Sequence, residues 1–452
     1  MIELTAERMA AAMGAEIVSR GPGGFPAEGA IDSRQITGGE LFFGLIGAND
    51  DGGRFAAGVL DDGAWGVVAG PGWKDDLAGA DGWVFITEDP LLSLQRLARA
   101  WRRELASQVI GITGSVGKTS VKDILAALLP GSVHASAENF NTEIGLPLTV
   151  LSAPAGTGTL VLEMAMRGPG QIAELTEIAE PDIGVITNVG PVHVELLGSI
   201  EAVAAAKAEL IRGLAPGGQL VVPSEAGHLE PHLGELPGVT RFGPGGDVEA
   251  VEVEPIDGGS RVTVSTGAGT EVFEFPFAEP HNITNALAAI AAGLASGAAL
   301  NELSVRAGSI TFSKLRGEHL MLEPDVLVVN DCYNANPLSM RAALSYLAGL
   351  NRPRKIAVLG LMAELGPDQD KFHREIGEFA RAAGIDLVIA VGEVTAGYGP
   401  DRFVDTPEAA AGLLGEILQP GDAVLVKGSR SAGLEVVAER LMAERQDQGT
   451  VA

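Results

Sequence analysis

The sequence feature that most constrains this chain is a glycine-rich turn between a short apolar strand and a helical run. Val109–Thr113 has the composition of a buried strand, and Val121–Leu129 has a helical pattern. The turn between them consists of Gly114, Ser115, Val116, Gly117, Lys118, Thr119 and Ser120. Glycines let the backbone curl so that N–H groups converge on phosphate oxygens, and the helix N-terminus adds partial positive charge. The arrangement predicts a phosphate-binding loop.

Two side chains of this loop have predicted roles in binding ATP. Lys118 is expected to reach the β- and γ-phosphates, and the Thr119 hydroxyl is expected to bind Mg²⁺. The full loop pattern has a glycine where Ile112 stands, so the match is to the shorter GxxGK[ST] core. The alternative is a glycine-rich turn with a chance Lys-Thr pair, and the strand before it and the helix after it favour the phosphate loop.

Two further polar side chains follow apolar strands. Glu163 ends Thr159–Glu163, and His193 comes shortly after Ile183–Asn188. In open α/β sheets, ligands bind beyond the carboxyl ends of the strands, where a carboxylate can hold Mg²⁺. Taken singly, each residue is better explained by a solvated or capping role than by a functional one. Taken with the phosphate loop, they predict one metal and phosphate site.

Composition limits the class of protein and its partners. The chain has 452 residues, enough for two to four domains, and 46% of them are hydrophobic. Lys and Arg total 31 against 59 Asp and Glu, a net charge of −28 that argues against nucleic acid or an anionic membrane surface as the main partner. The single cysteine, Cys332, excludes an internal disulfide and a Cys-cluster metal site. Without a recognisable signal peptide or a 20-residue apolar stretch, we expect a cytoplasmic protein with no membrane span.

The order of predicted elements divides the chain into three α/β blocks, at 1–107, 108–312 and 313–452. Strands alternate with helices in the second and third blocks, which predicts parallel sheets, doubly wound in the third. A β-rich insertion or sheet edge is expected over Gly217–Glu274. A helix is also expected over Leu91–Leu105. Further strands are expected at Glu40–Leu45, Trp65–Ala69, Val326–Val329, Ile356–Leu359, Leu387–Val391 and Ala423–Val426.

Three amide-rich loops and one helix lysine are further candidates. The loops contain Asn139 and Asn141, then Asn282, and finally Asp331 with Asn334. Asn and Asp are common in turns and caps, which is the alternative to base, ribose and substrate contacts. Lys207 lies in a helical run, Glu201–Leu210, and by itself has the appearance of an exposed helix lysine.

Together these pieces resemble the Mur ligase family, the ATP-dependent amide-forming enzymes of peptidoglycan precursor synthesis. The resemblance covers nearly the whole chain. Its matching segments are residues 32–34, 113–120, 138–151, 162–175, 186–199, 206–210, 281–293, 330–340, 358–366 and 426–431. Within the family, DCYNANPLSM and VKGSRS are similar to the enzymes that add D-alanyl-D-alanine to UDP-N-acetylmuramoyl-tripeptide. The alternative is a member, or a folylpolyglutamate-synthase-like enzyme, that adds a single amino acid.

The resemblance implies three domains and a set of residue roles. A smaller N-terminal domain would bind the UDP substrate, a central domain with a phosphate loop and a parallel sheet would bind ATP, and a Rossmann-like C-terminal domain would close over it. The implied catalytic residues are Lys118, Glu163, His193 and Lys207. The implied ligands of two Mg²⁺ ions are Thr119, Glu163, His193 and Lys207, the last as a carbamate. The implied ATP contacts beyond the loop are Asn282, Arg316, Asp331 and Asn334. The implied UDP-substrate contacts are Ser33, Arg34, Asn139, Asn141 and Thr142.

Three positions depart from the family pattern, and the oligomeric state is also an expectation. Gly53 stands where a histidine is common, Leu361 where an aspartate is common, and Pro280 where a basic residue often precedes His281. These changes concern the first-domain substrate contacts and the finer nucleotide contacts, not the metal and phosphate set. We expect a monomer.

Overall fold

The structure is a computed structural model, and it describes most of the chain. The described residues are 1–48, 50–137, 139–192, 194–234 and 238–449, with side chains described to residue 443 except at 194 and 195. They form twenty strands and sixteen α-helices in three sheets. No helix in these ranges is long and apolar enough to cross a bilayer.

The first sheet has five strands in the order β1-β5-β4-β3-β2, with β1 antiparallel to β5 and the other pairs parallel. Its strands are β1 Glu16–Ser19, β2 Gly29–Ala30, β3 Leu41–Phe43, β4 Gly66–Ala69 and β5 Trp83–Ile86. Its helices are α1 Ala6–Met13, α2 Ala56–Asp61 and α3 Pro90–Leu105.

The second sheet has nine strands in the order β14-β13-β12-β11-β10-β9-β6-β8-β7. Its strands are β6 Gln108–Thr113, β7 Val133–Ala135, β8 Thr159–Glu163, β9 Ile183–Ile186, β10 Gln219–Pro223, β11 Val239–Phe242, β12 Val248–Ile256, β13 Gly259–Thr266 and β14 Gly269–Phe275. Its helices are α4 Lys118–Leu128, α5 Gly145–Ser152, α6 Gln171–Ala179, α7 Val194–Leu197, α8 Ile200–Lys207, α9 Glu209–Arg212, α10 Glu230–Leu233, α11 Pro280–Ala295 and α12 Leu300–Ser304. The strands from β7 to β12 pair in parallel, and β13 and β14 add an antiparallel edge.

The third sheet has six strands in the order β15-β16-β20-β17-β18-β19, with only β15 antiparallel to its neighbour. Its strands are β15 Glu318–Leu322, β16 Val326–Asp331, β17 Arg354–Leu359, β18 Leu387–Val391, β19 Arg402–Val404 and β20 Asp422–Lys427. Its helices are α13 Pro337–Gly349, α14 Gln369–Ala382, α15 Pro407–Ile417 and α16 Glu435–Gly449.

Apolar side chains cover both faces of the third sheet. Along β17, Ala357 and Leu359 belong to one buried cluster, while Ile356 and Val358 belong to another on the opposite face. A strand exposes alternate residues to opposite faces, so a strand that is apolar throughout requires helices on both sides. This is the doubly wound arrangement that the sequence predicts, and the three-domain α/β class is confirmed.

The first two sheets share apolar contacts across the predicted boundary at residue 107. Trp101 of α3 is buried and donates from its indole Nε1 to the carbonyl of Ala153 at 3.1 Å. Leu146 of α5 and Phe85 of β5 belong to the same apolar cluster. The limits 1–107, 108–312 and 313–452 stay predictions.

The structure confirms one expectation and changes another. The β-rich stretch Gly217–Glu274 forms an edge of the central sheet, one of the two arrangements expected for it. The run expected as one helix over Glu201–Leu210 forms two helices, α8 and α9, so Lys207 is the last residue of α8.

Candidate active site

The predicted phosphate loop joins β6 to α4, and its glycines have conformations that few other residues adopt. Gly114 has φ +153° and Gly117 has φ +84°. A Cβ at Gly117 would lie 2.5 Å from Oδ1 of Asn285, and one at Gly114 would lie 1.8 Å from Oγ1 of Thr187. Neighbouring elements therefore pack directly on the loop backbone, at the N-terminus of α4.

Lys118 is the first residue of α4, and its ammonium group folds back over the loop. Its Nζ donates to the carbonyl oxygen of Gly114 at 3.1 Å. Burial lowers the pKa of Lys118, and the negative charge of Glu163 acts in the opposite direction. A cation without full hydration next to the loop N–H groups favours an anion there.

Thr119 and Glu163 meet as their strand-end positions predict. Thr119 Oγ1 donates to Glu163 Oε2 at 2.8 Å, and both side chains are buried. Asn141 Nδ2 donates to the other carboxylate oxygen, Oε1, at 2.8 Å. Arg316 Nη2, from the segment that leads into β15, donates to Thr119 Oγ1 at 3.1 Å.

The donor set at Thr119 and Glu163 fits Mg²⁺. Mg²⁺ prefers oxygen ligands and is usually held by one or two carboxylates together with phosphate oxygens and water. The described ranges contain no cluster of three or more His, Cys, Asp or Glu side chains that could hold a metal by themselves.

Arg316 contacts both the phosphate loop and the third domain. Its guanidinium carbon lies 4.0 Å from the ring centroid of Tyr333. Its Nε is buried and has no hydrogen-bond partner within the described structure. A buried donor without an acceptor is costly, so a phosphate oxygen is a suitable partner for it.

The predicted nucleotide residues of the second and third sheets line the same cleft, which has a volume of about 480 Å³. Lys427 Nζ donates to Asp331 Oδ2 at 2.6 Å and to the carbonyl of Asn334 at 3.0 Å. Asn282 is buried and donates to Glu279 Oε2 at 3.4 Å. Ser115, Val116, Gly117, Ser120 and Thr142 also line this cleft.

Lys207 is buried at the C-terminal end of α8, with only 2% of its surface exposed. Burial lowers its pKa well below the ordinary value, and the charge of Lys118 lowers it further. Lys207 is therefore not the exposed helix lysine that its sequence context suggested. It is not among the residues that line the cleft. His193 lies outside the described residues.

The residues predicted to bind the UDP substrate separate into two places. Ser33 and Arg34 line a second cavity of about 520 Å³ in the first domain. Arg34 forms an ion pair with Asp32 at 2.8 Å and lowers the pKa of that carboxyl. Asn141 and Thr142 line the larger cleft, whereas Asn139 is exposed and lines neither cavity.

The structure shows the surroundings of the three residues that depart from the family pattern. Trp73 packs against Gly53 so closely that a Cβ there would lie 2.3 Å from its Cδ1. Pro280 occupies the first turn of α11, a position that suits proline. The carbonyl of Leu361 accepts a hydrogen bond from the N–H of Ser429 at 2.8 Å.

Several cleft residues escaped sequence reasoning. They are Arg167, Asn188, Glu279, Tyr346 and Glu364. Asn188 Oδ1 accepts from the N–H of Val116 at 3.0 Å, and its position just after β9 is a signal that could have found it. Glu279 and Tyr346 line the same cleft only because the third domain packs on the second, and no local sequence pattern indicates this.

Comparison with known proteins identifies the class of this chain. The model of the Mur ligase middle domain matches residues 112–293, and that of the Mur ligase glutamate ligase domain matches residues 316–430. The chain belongs to the Mur ligase family, and it is an ATP-dependent ligase.

The more particular likeness is to one branch of that family. The chain is 36% identical over 431 residues to the UDP-N-acetylmuramoyl-tripeptide–D-alanyl-D-alanine ligase of Synechocystis, with 91% of each chain covered. It is similar in structure to MurF from Acinetobacter baumannii, with a TM-score of 0.85, 27% identity and coverage of 97% and 98% of the two chains. It is also similar to MurF ligase from Thermotoga maritima in complex with ADP, with a TM-score of 0.81, 29% identity and coverage of 93% and 98%.

Proposed function

We propose that this chain joins D-alanyl-D-alanine to UDP-N-acetylmuramoyl-tripeptide in peptidoglycan precursor synthesis, with ATP converted to ADP and phosphate. The observation that carries the proposal is the meeting of Lys118, Thr119 and Glu163 in a cleft whose far wall belongs to the third domain. The names of the relatives supply the substrate class.

The first step activates the carboxylate of the tripeptide. A carboxylate is a poor electrophile, and amide formation in water is uphill, so ATP must supply the driving force. A carboxylate oxygen attacks the γ-phosphorus in line, the bond to the β-bridging oxygen breaks, and ADP leaves. Lys118 and the loop N–H groups offset the negative charge of the phosphates. The buried N–H of Arg316 Nε has no partner in the described structure and can donate a hydrogen bond to a γ-phosphate oxygen.

The second step forms the amide bond. The ammonium group of D-alanyl-D-alanine first loses one proton to water, the resulting amine nitrogen attacks the acyl carbon, the C–O bond to phosphate breaks, and the nitrogen loses a second proton to water. An acyl phosphate hydrolyses readily, so the cleft must exclude water until the amine arrives. Contacts between the second and third domains, such as Arg316 with Thr119, support closure around this site.

Thr119, Glu163, His193 and Lys207 are the residues that we propose hold two Mg²⁺ ions. When bound, Mg²⁺ neutralises phosphate charge and polarises the γ-phosphoryl group. Lys207 takes part as a carbamate, formed when its amine adds to CO₂ and loses a proton. Its burial favours the neutral amine, the form that reacts with CO₂, and the carbamate supplies the oxygen ligand that Mg²⁺ prefers.

The remaining predicted residues bind the two ends of the substrates. Asn282 and Asn334 contact adenine, and Asp331 contacts ribose, with Lys427 holding Asp331 in place. Ser33 and Arg34 contact the uridine diphosphate group in the first-domain cavity. Asn141 acts on Glu163 directly, so its role is in orienting the metal carboxylate more than in binding the UDP group. The monomeric state and the cytoplasmic location remain predictions.

Product formation with different acceptors tests this function. Purified protein receives ATP, Mg²⁺ and UDP-N-acetylmuramoyl-tripeptide, and then D-alanyl-D-alanine, lysine, diaminopimelate or glutamate. We expect a UDP-linked pentapeptide, detected by mass spectrometry, with the dipeptide alone. A preference for a single amino acid would assign the chain to the alternative reaction.

A further inference from the structure

The loop between β17 and α14 presents a carboxylate to the cleft from an unusual backbone conformation. Glu364 lies in this loop, lines the cleft and has φ +61°. Non-glycine residues seldom adopt this left-handed region, and such conformations cluster at functional sites. The conformation therefore calls for an explanation in terms of what Glu364 binds.

Two buried side chains accept hydrogen bonds from backbone N–H groups of this loop. The N–H of Met362 donates to Nε2 of the buried His373 at 3.1 Å. The N–H of the next residue, Ala363, donates to Oγ of the buried Ser429 at 3.0 Å. Glu364 is thus mounted on a rigid support, which is what a precise binding position requires.

A cation faces Glu364 from the opposite side of the cleft. Arg167 Nε lies 3.8 Å from Glu364 Oε1, and the two side chains are 76% and 51% exposed. Arg167 follows Glu163 by four residues, so their Cα atoms are at most about 14 Å apart. The pair stands at the mouth of the cleft, within a short reach of the proposed phosphate site.

D-Alanyl-D-alanine offers few features for recognition. It has two methyl groups, one amide, an ammonium group at one end and a carboxylate at the other. A site that selects it must therefore present a negative and a positive group, with apolar surface close by. Met166 and Leu338 line the same cleft and supply apolar surface.

We propose that Glu364 and Arg167 form the acceptor subsite, in which Glu364 binds the ammonium group and Arg167 the terminal carboxylate of the dipeptide. The zwitterion replaces the long contact between the two side chains with two charge-assisted contacts. This inference rests on the proposed function and assigns its acceptor site.

Steady-state kinetics of two single variants test the subsite. Glu364→Gln removes one charge and keeps the side-chain size, and Arg167→Gln removes one charge with a shorter polar side chain. We expect the KM for D-alanyl-D-alanine to rise at least about tenfold, the loss that follows from about 1.4 kcal/mol of lost binding. The KM for ATP should stay within about twofold. Glu364→Asp, which keeps the charge, should recover part of the loss.

A matched control removes an exposed, ion-paired carboxylate elsewhere. Glu274 on β14 pairs with Arg261 at 2.8 Å, far along the sheet at the antiparallel edge. Glu274→Gln should leave the acceptor KM unchanged.

The C-terminal amide of the dipeptide tests the role of Arg167 independently of folding differences. In the wild type, the amide should have a KM about tenfold above that of the acid. In Arg167→Gln, acid and amide should have equal KM values, because the group that senses the carboxylate is gone. A merely structural role of Arg167 would leave the preference for the acid intact.

Failure of the subsite and failure of the proposed function give different results. The subsite is wrong if the acceptor KM stays near the wild-type value in both variants and Arg167→Gln still prefers the acid. In that case the proposed function still stands, provided that wild-type phosphate release depends on D-alanyl-D-alanine. A wild type whose phosphate release ignores the dipeptide would overturn both.

Discussion

At the scale of single residues, Lys118 is the side chain whose loss should cost the most activity. Lys118→Ala removes a charge-assisted contact to the phosphates, and we expect kcat to fall by about 10²–10³ or more, the usual cost of removing one such stabilising donor. The fold should survive, because a partly desolvated cation contributes little stability. The measurement is ATP-dependent phosphate release, with thermal melting as the check on folding. Lys371→Ala serves as a control on α14, and a folded Lys118→Ala with near-normal kcat would rule out the phosphate-loop interpretation.

Variants of Lys207 test whether this lysine is a carbamylated metal ligand or only a buried side chain. Lys207→Ala should lose most activity, and acetate should restore part of it by occupying the vacated carboxylate position. Lys207→Arg should be inactive, since guanidinium stays charged and does not form a carbamate. A ¹³C NMR signal of a carbamate after incubation with ¹³CO₂ should appear in the wild type and be absent from Lys207→Ala. Activity of Lys207→Ala within about twofold of wild type, with no such signal in the wild type, would remove Lys207 from the mechanism.

At the scale of elements, the packing of α11 against the phosphate loop makes Gly117 sensitive to any side chain. Gly117→Ala adds a Cβ 2.5 Å from Asn285 Oδ1 at φ +84°. Gly131 has the same φ and no atom within 4 Å of a Cβ. Both variants should lose roughly 1–2 kcal/mol from the left-handed backbone, but only Gly117→Ala should weaken ATP binding by tenfold or more. Equal ATP affinities, measured by calorimetry, would contradict the close packing.

The elements show where sequence reasoning succeeds and where it stops. Glu163 and Thr119 were predictable as neighbours, because parallel strands bring their carboxyl ends to one edge. The bond from Asn141 to Glu163 was not predictable, since it depends on how the loop after β7 folds over the sheet. The burial of Lys207 cannot be predicted from the sequence, because its helix is rich in alanine and has no polar and apolar pattern that indicates which face is buried.

At the scale of the whole molecule, three histidines make stability dependent on pH. Burial lowers the pKa of His134, His281 and His373 below the ordinary value of 6.5. The unfolded chain therefore binds more protons than the folded one, so stability should fall as pH drops below about 6.5. Carboxyls with a lowered pKa, such as Glu180 at about 2, lose their contribution only below about pH 4.5.

Urea unfolding at pH 7.5 and 5.5 measures this effect. The wild type should unfold at lower urea at pH 5.5, and His373→Gln, which keeps an acceptor for Met362, should show a smaller difference between the two pH values. A wild-type midpoint that is equal at both pH values would show that burial does not hold these histidines neutral.

The cleft itself is a property of the whole molecule. The cleft forms where the second and third domains are in contact, and its lining includes Glu279, Tyr346 and Glu364. No single stretch of the sequence therefore indicates that these residues lie together. The domain order and the phosphate loop can be predicted because their signals lie in residues close together in the sequence. The first signal is strand and helix periodicity, and the second is the spacing of the glycines.

Transfer of an oxygen isotope shows whether ATP phosphorylates the substrate carboxylate. UDP-N-acetylmuramoyl-tripeptide carrying ¹⁸O in its terminal carboxylate is incubated with ATP, Mg²⁺ and D-alanyl-D-alanine, and the released nucleotide and phosphate are analysed by mass spectrometry. We expect ADP without label and inorganic phosphate that contains one ¹⁸O atom, since the γ-phosphoryl group leaves with a carboxylate oxygen. Unlabelled phosphate, or AMP that carries the ¹⁸O, would contradict it.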